Sequence, residues 1–309
     1  MRTGVLGFGV PYGVLASVGL EPVDVTLRQA RAGTAADRYI ECFMDPFAVS
    51  VLRGLAAGDF DDLGALIFLR ESPGAMIACQ YAFELARRGV IPKSAPVPVM
   101  LNILPADHPA ADRFNRAELA RLVEVLTALG WVPDEGVKAP SERFDALLAA
   151  QAEGVVSGAD AFDIRAGRRD EPRPHRAQGP RLALLGAPFG NSVLHAALDR
   201  IGHLVLDQQA LDQACAARGR GLDAALTAQA ANPFAARQPK PLYLPGIAAA
   251  LTEHRIDRVV WQVDPHDDLW GWLMPQVRDL CAGQGVGFAD LGFLPRWPTP
   301  GDIVIGKGV

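Results

Sequence analysis

The sequence predicts an α/β protein built from two parallel-sheet, Rossmann-like domains facing an interdomain cleft. Three observations carry that expectation. Short apolar runs alternate with helix-period segments in both halves of the chain. The length of 309 residues suits two domains of ordinary size. Hydrophobic residues make up 50% and charged residues 21%, enough apolar material to fill cores and too much for a disordered chain.

The elements follow in order. Val5 and Leu6 belong to an opening strand that turns into a helix from about Tyr12. Ala65 to Leu69 (ALIFL) is a continuous apolar run of strand length, followed by a helix from about Gly74 to Arg88. Val97 to Leu104 reads as a strand, and Ala117 to Leu129 has a 3.6-residue period. Residues 165–180, RAGRRDEPRPHRAQGP, hold five arginines, one histidine and three prolines, a composition that reads as a stiff, solvated linker. An anion-binding strip is the other use of such a stretch. The predicted domains are therefore 1–164 and 181–309. In the second, Arg181 to Leu185, His203 to Leu206, Arg258 to Gln262 and Phe288 to Leu291 read as strands. They alternate with helices at Ser192 to Ile201, Ile247 to His254 and Leu269 to Ala282.

Composition narrows the function. Lys+Arg is 30 against Asp+Glu 35, a net charge of -5, which disfavours broad nucleic-acid binding, and aromatics at 7% offer few stacking platforms. The apolar amino-terminal stretch is broken by Gly and Pro, so it reads as strand, turn and helix and not as a signal peptide. Runs such as Leu63 to Leu69 are far shorter than a membrane span. A cytoplasmic protein with reduced thiols is the expectation. The four cysteines, Cys42, Cys79, Cys215 and Cys281, are scattered without metal-finger spacing.

In parallel α/β folds ligands sit beyond the carboxyl ends of the strands. Three turns there share a polar residue followed by proline: Asp45-Pro46, Ser72-Pro73 and Asp264-Pro265. Each reads as a helix cap, with the side chain accepting from free amides and proline surrendering no needed donor. If they converge, three helix amino termini would favour an anion. Two glycine turns, GFGVPYG with Gly7 and Gly9 and LLGAPFGNS with Gly186 and Ser192, match neither dinucleotide nor Walker motifs. Pro11 and Pro188 remove donors from them, so tight strand-to-helix turns are the simpler reading. No nucleophile motif is present. His266, two residues past Asp264, is the most suggestively placed histidine, while His195 and His203 read as surface or core-edge residues. Trp261 reads as core, and so do Trp270, Trp272, Leu273 and Met274 on the following helix.

Taken together, several segments resemble one family in the right order and nearly end to end. They are GVLGFGVPYGVLASVGLEPVDV, ECFMDPFAVSVLRGLAAGDFDDLGALIFL, PVPVMLNILPADHPAADRFNRAELARLVEVL, RLALLGAPFGNSVLHAALDRIGHLVL and IDRVVWQVDPHDDLWGWLMPQVRDLCAGQGVGFADL. The family is that of the 2-hydroxyacyl-CoA dehydratases and benzoyl-CoA reductases, in its iron–sulfur-bearing subunits. The resemblance implies a 4Fe-4S cluster held by three cysteines from three strand-end turns. It also implies transfer of a low-potential electron to an acyl-CoA thioester, supplied by an ATP-dependent activator. At those turns this chain has Asp45 where the family has Cys-Pro-Phe, Glu71-Ser72 for Cys-Asp, and Val263 for the cysteine of Cys-Asp-Pro-His. Carboxylates and a valine cannot replace thiolates.

The leading expectation is therefore a cluster-lacking homologue that binds an acyl-CoA-like or other anionic small ligand through a cleft bearing Asp45, Glu71, Ser72, Val263, Asp264 and His266. The other form of that expectation is an accessory subunit of a cluster-bearing homologous subunit, where any lyase or reductase chemistry would reside, or a homodimer. Two alternatives stand beside it. One is an enzyme using a metal other than an iron–sulfur cluster, held by Asp45, Glu71 and His266. The other is a purely structural, partner-binding protein. No nucleic-acid or membrane partner is expected.

Overall fold

The computed structural model describes residues 2–8, 12–134, 136–137, 141–211, 222–235, 240–266 and 269–305. Gly9, Pro11 and Cys215 lie outside the described residues. The fold is mixed α/β with two four-stranded, all-parallel sheets, as the alternating pattern predicts. The first sheet comprises β1 (Arg2–Leu6), β2 (Glu21–Asp24), β3 (Ala65–Leu69) and β4 (Val97–Leu101), in the order β2-β1-β3-β4. The second comprises β5 (Arg181–Gly186), β6 (His203–Asp207), β7 (Arg258–Val263) and β8 (Gly287–Phe293), in the order β6-β5-β7-β8. Both sheets thus wind outward in one direction and then reverse past their first strand. Such a reversal opens a crevice at the carboxyl ends of the two central strands, β1 and β3 in one sheet and β5 and β7 in the other.

The central strands are apolar because both faces are covered. All five residues of β3 are buried, as are Val259 to Val263 of β7. Helices α1 (Tyr12–Ser17), α2 (Pro46–Ala57), α3 (Pro73–Arg87) and α4 (Pro109–Ala128) belong with the first sheet. In α4 the buried residues are Ala111, Asn115, Leu119, Leu122 and Leu126, one stripe at three- and four-residue intervals. The second core gathers Leu182, Leu184, Phe189, Leu194, Leu198, Leu204, Val260 and Leu294, and Trp261 is fully buried beside it in β7.

The chain forms two compact units, Met1–Pro140 with Cys215–Ala236 and Ser141–Ala214 with Arg237–Val309. Helices α5 (Ser141–Ala152) and α6 (Gly158–Arg165), together with residues 165–180, therefore group with the second sheet. So do α7 (Val193–Leu198), α9 (Lys240–Glu253) and α10 (Trp270–Gly283). Helix α8 (Leu222–Ala231) returns to the first unit and packs on α1.

The arginine-rich stretch is bound into the second unit at its start and middle. Arg165 is buried and pairs with Asp207 at 2.7 Å, and Arg173 grips the buried Asp160 through Nη2 at 2.5 Å. Burial alone would raise the Asp160 carboxyl, but the Arg173 hydrogen bonds outweigh it and hold it below its usual range. These guanidinium groups are occupied within the protein, which removes them from any anion-binding strip. Among the described residues no helix is long and apolar enough to cross a membrane.

Candidate functional site

In the first unit, the crevice between β1 and β3 collects four of the sequence-selected residues. Asp45 Oδ1 accepts from Phe47 N at 2.8 Å and caps α2, and Ser72 Oγ accepts from Ala75 N at 3.1 Å and caps α3. Both helices begin with proline, as the Asp-Pro and Ser-Pro pairs predict. The two helix starts lie side by side: a Cβ added to Gly74 would stand 2.9 Å from Asp45 Cβ. Glu71 reaches the turn after β1, where its Oε1 accepts from Phe8 N. Gly7 N donates to Thr26 Oγ1 at 2.9 Å, and the Phe8 ring lies 4.9 Å from that of Phe47.

Asp45, Glu71, Ser72 and Gly7 are thus brought together, but as structural donors and acceptors already at work. Replacing Ser72 by Ala removes the acceptor for one α3 amide, and urea unfolding should show a loss of about 1 kcal/mol. Arg70, which sequence reasoning passed over, is exposed one residue beyond β3 and makes no ion pair among the described residues.

In the second unit, the turn after β5 is laced shut. Ala187 N donates to Gln262 O at 3.1 Å, and Gln262 Nε2 donates back to Ala187 O. Gln209 holds Phe189 N and O at 3.0 and 3.1 Å. Gly190 N donates to Arg296 O at 2.6 Å, while Arg168 Nη2 donates to Gly190 O at 2.5 Å. Trp297 lies so close to Gly190 that a Cβ there would meet its indole Nε1 at 2.3 Å. The amides that would cradle a phosphate are spent inside the protein, so Gly186 and its turn serve packing. Ser192 makes no capping bond; Asn191 Oδ1 instead accepts from Val193 N at 3.2 Å.

The third polar-proline turn departs from the expected cap. Helix α10 begins at Trp270, six residues after Asp264, and no side-chain capping bond is made at its N-cap, Leu269. Asp264 is instead a buried carboxylate that organises its own turn. Its Oδ1 accepts from His266 N at 2.7 Å and faces His266 Nδ1 at 3.0 Å, and Arg296 Nε stands 3.5 Å from Oδ2. A carboxylate only accepts, so the proton of this contact sits on Nδ1. In the neutral ring that leaves the lone pair on Nε2, on a side chain that is 28% exposed. Val263 is buried, with its carbonyl accepting from Leu294 N at 2.9 Å. It has no donor atom to offer.

Elsewhere in this unit one histidine differs from expectation. His195 is fully buried, neither a surface nor a core-edge residue, whereas His203, 9% exposed, lies at the edge of the core. His195 Nε2 lies 3.1 Å from Asp207 Oδ2, the same oxygen that Arg165 engages, and its ring packs against Phe162 at 4.8 Å. His195 Nδ1 has no partner among the described residues. The network went unseen in the sequence because its members come from α6, α7 and β6, with no local spacing to mark them. On α10, the Trp270 ring lies tilted against Tyr243 at 5.5 Å between centroids, but Trp272 is 81% exposed and is not core.

Among the described residues no three His, Cys, Asp or Glu side chains gather as a metal-holding group. Cys79 and Cys281 are buried, and burial pushes their thiols up to about 11, so both hold their protons at neutral pH. Cys42 is exposed. No protein-family model matches the chain, and no curated protein matches it.

Proposed function

We propose that the chain is a diverged, cluster-lacking homologue of the 2-hydroxyacyl-CoA dehydratase and benzoyl-CoA reductase subunits, and that it binds an acyl-CoA-like ligand at the carboxyl edge of a parallel sheet. One observation carries the reading. The side chains at the three turns where the resemblance calls for thiolates are a helix cap, a turn-bound carboxylate and a buried valine. Hard oxygens and a hydrocarbon do not make an iron–sulfur ligand set, so no electron-transfer step is assigned to these residues.

The group best placed to meet a ligand is His266. Asp264 orients its ring, and in the neutral tautomer with the proton on Nδ1 the Nε2 atom can accept a hydrogen bond from a hydroxyl or amide such as those of a pantetheine arm. The family assignment rests on the ordered resemblance; the parallel sheets and their strand-end turns support it as the right frame.

Calorimetric titration with coenzyme A tests the ligand, and the expected result is saturable binding that His266→Ala weakens roughly tenfold. The absence of any coenzyme A binding would overturn the ligand assignment. Anaerobic reconstitution with iron and sulfide, followed by absorbance and EPR, tests the loss of the cluster. A stoichiometric 4Fe-4S signal would overturn that part.

A further inference from the structure

We propose that the first unit carries a second, separate ligand site, a pocket for a free α-amino acid with an apolar side chain. This goes beyond the reading above and stands independently of it. A cavity of about 420 Å³ opens between the segment before α2 and the outer face of α3, a size within the range of small-molecule sites. Its walls are two tyrosines, two arginines, two glutamates, Ile40 and Leu85.

The charges in this pocket are not equivalent. Arg88 is spoken for, because its Nε donates to Glu84 at 2.5 Å. That leaves Arg38 and Glu41. The Arg38 guanidinium is held over the Tyr39 ring, 4.8 Å from its centroid, and makes no ion pair among the described residues. A guanidinium placed by an aromatic ring keeps its N–H donors for a planar, two-oxygen acceptor. Glu41 is positioned by the Tyr81 hydroxyl, which donates to Oε1 at 3.0 Å, and it too has no ion pair among the described residues. Each charge is therefore set in place by a neutral aromatic partner and is left without a counter-charge.

A ligand that answers both must be a zwitterion, with a carboxylate for Arg38 and an ammonium for Glu41. A ligand with one charge would answer only one of the two. The two residues stand three positions apart in the sequence, on the segment before α2, and both line the same cavity. Ile40, Leu85 and the tyrosine rings supply the surface for an apolar side chain.

The test uses the full chain and three related probes: L-leucine, N-acetyl-L-leucine, which lacks the ammonium, and L-leucine methyl ester, which lacks the carboxylate. Calorimetry should show saturable binding of L-leucine and a loss of roughly tenfold or more for either derivative, the scale of one charged hydrogen bond. Glu41→Gln should weaken L-leucine while leaving N-acetyl-L-leucine nearly unchanged, and Arg38→Gln should do the same for the methyl ester. Both positions are exposed, so neither substitution threatens folding. Equal binding of the three probes, or no saturable binding of L-leucine up to concentrations on the order of 10 mM, would overturn the proposal.

Discussion

Replacing Arg165 by Met should cost about 3–5 kcal/mol of folding stability, read as a large fall in the urea midpoint at neutral pH. The side chains of Arg165 and Asp207 are 1% and 2% exposed, so the substitution strands a carboxylate with no water to solvate it. His195 hydrogen-bonds the same oxygen but cannot make good the loss of a permanent charge. The double replacement Arg165→Met with Asp207→Leu should recover much of the loss, because removing both charges also removes the penalty for burying them. A loss below about 1 kcal/mol for the single variant would mean that the pair is worth no more than a surface contact.

The same network sets an acid limit on the native state. Burial alone would raise the Asp207 carboxyl, but the Arg165 charge and the His195 hydrogen bond outweigh it and hold it below its usual range. A carboxyl that is more acidic in the folded than in the unfolded chain contributes stability that is complete above about pH 4. That contribution is lost as the pH falls through the folded value. Arg165→Met should flatten this part of the acid-unfolding curve.

Gly186→Ala should be comparably damaging, at about 3 kcal/mol or more, measured by thermal unfolding. Gly186 has φ +108, a left-handed value that costs an alanine backbone energy. Its new Cβ would also stand 2.1 Å from Gln262 O, a backbone atom of the neighbouring strand. That carbonyl cannot retreat without releasing Ala187 N, which it accepts at 3.1 Å. Gly283→Ala is the control: nothing lies within 4 Å of its Cβ, and the change should stay within about 1 kcal/mol.

The strands were legible because runs such as ALIFL and RVVWQ are buried on both faces, and a strand so placed has little choice but to be apolar throughout. The caps at Asp45 and Ser72 were legible for an equally local reason, since the residue, the proline and the bonded amide lie within four positions. Asp264-Pro265 shows the same local signal and a different outcome. There the carboxylate is buried against Arg296, which lies 32 positions away in the sequence. Long-range burial also explains His195, whose surroundings are set by Asp207 and Phe162. The lacing of the β5 turn was invisible for the same reason, because Gln262, Arg296 and Arg168 reach it from three separate segments. The strand order, repeated in both sheets, lies beyond what apolar patterning encodes, since pattern gives faces and not neighbours.

The return of α8 to the first unit has a consequence for synthesis on the ribosome. The helix that packs on α1 is encoded after β5 and β6, so the first unit cannot finish folding when its own four strands have emerged. Its α1 surface waits, uncovered, while the opening strands of the second sheet are made at roughly 5–20 residues per second. A nascent chain halted before Leu222 would present that apolar helix to chaperones, and a truncation after β4 and α4 would do so permanently. Amino-terminal fragments of this protein are therefore expected to need the distant helix, supplied in trans or by fusion, before they become soluble.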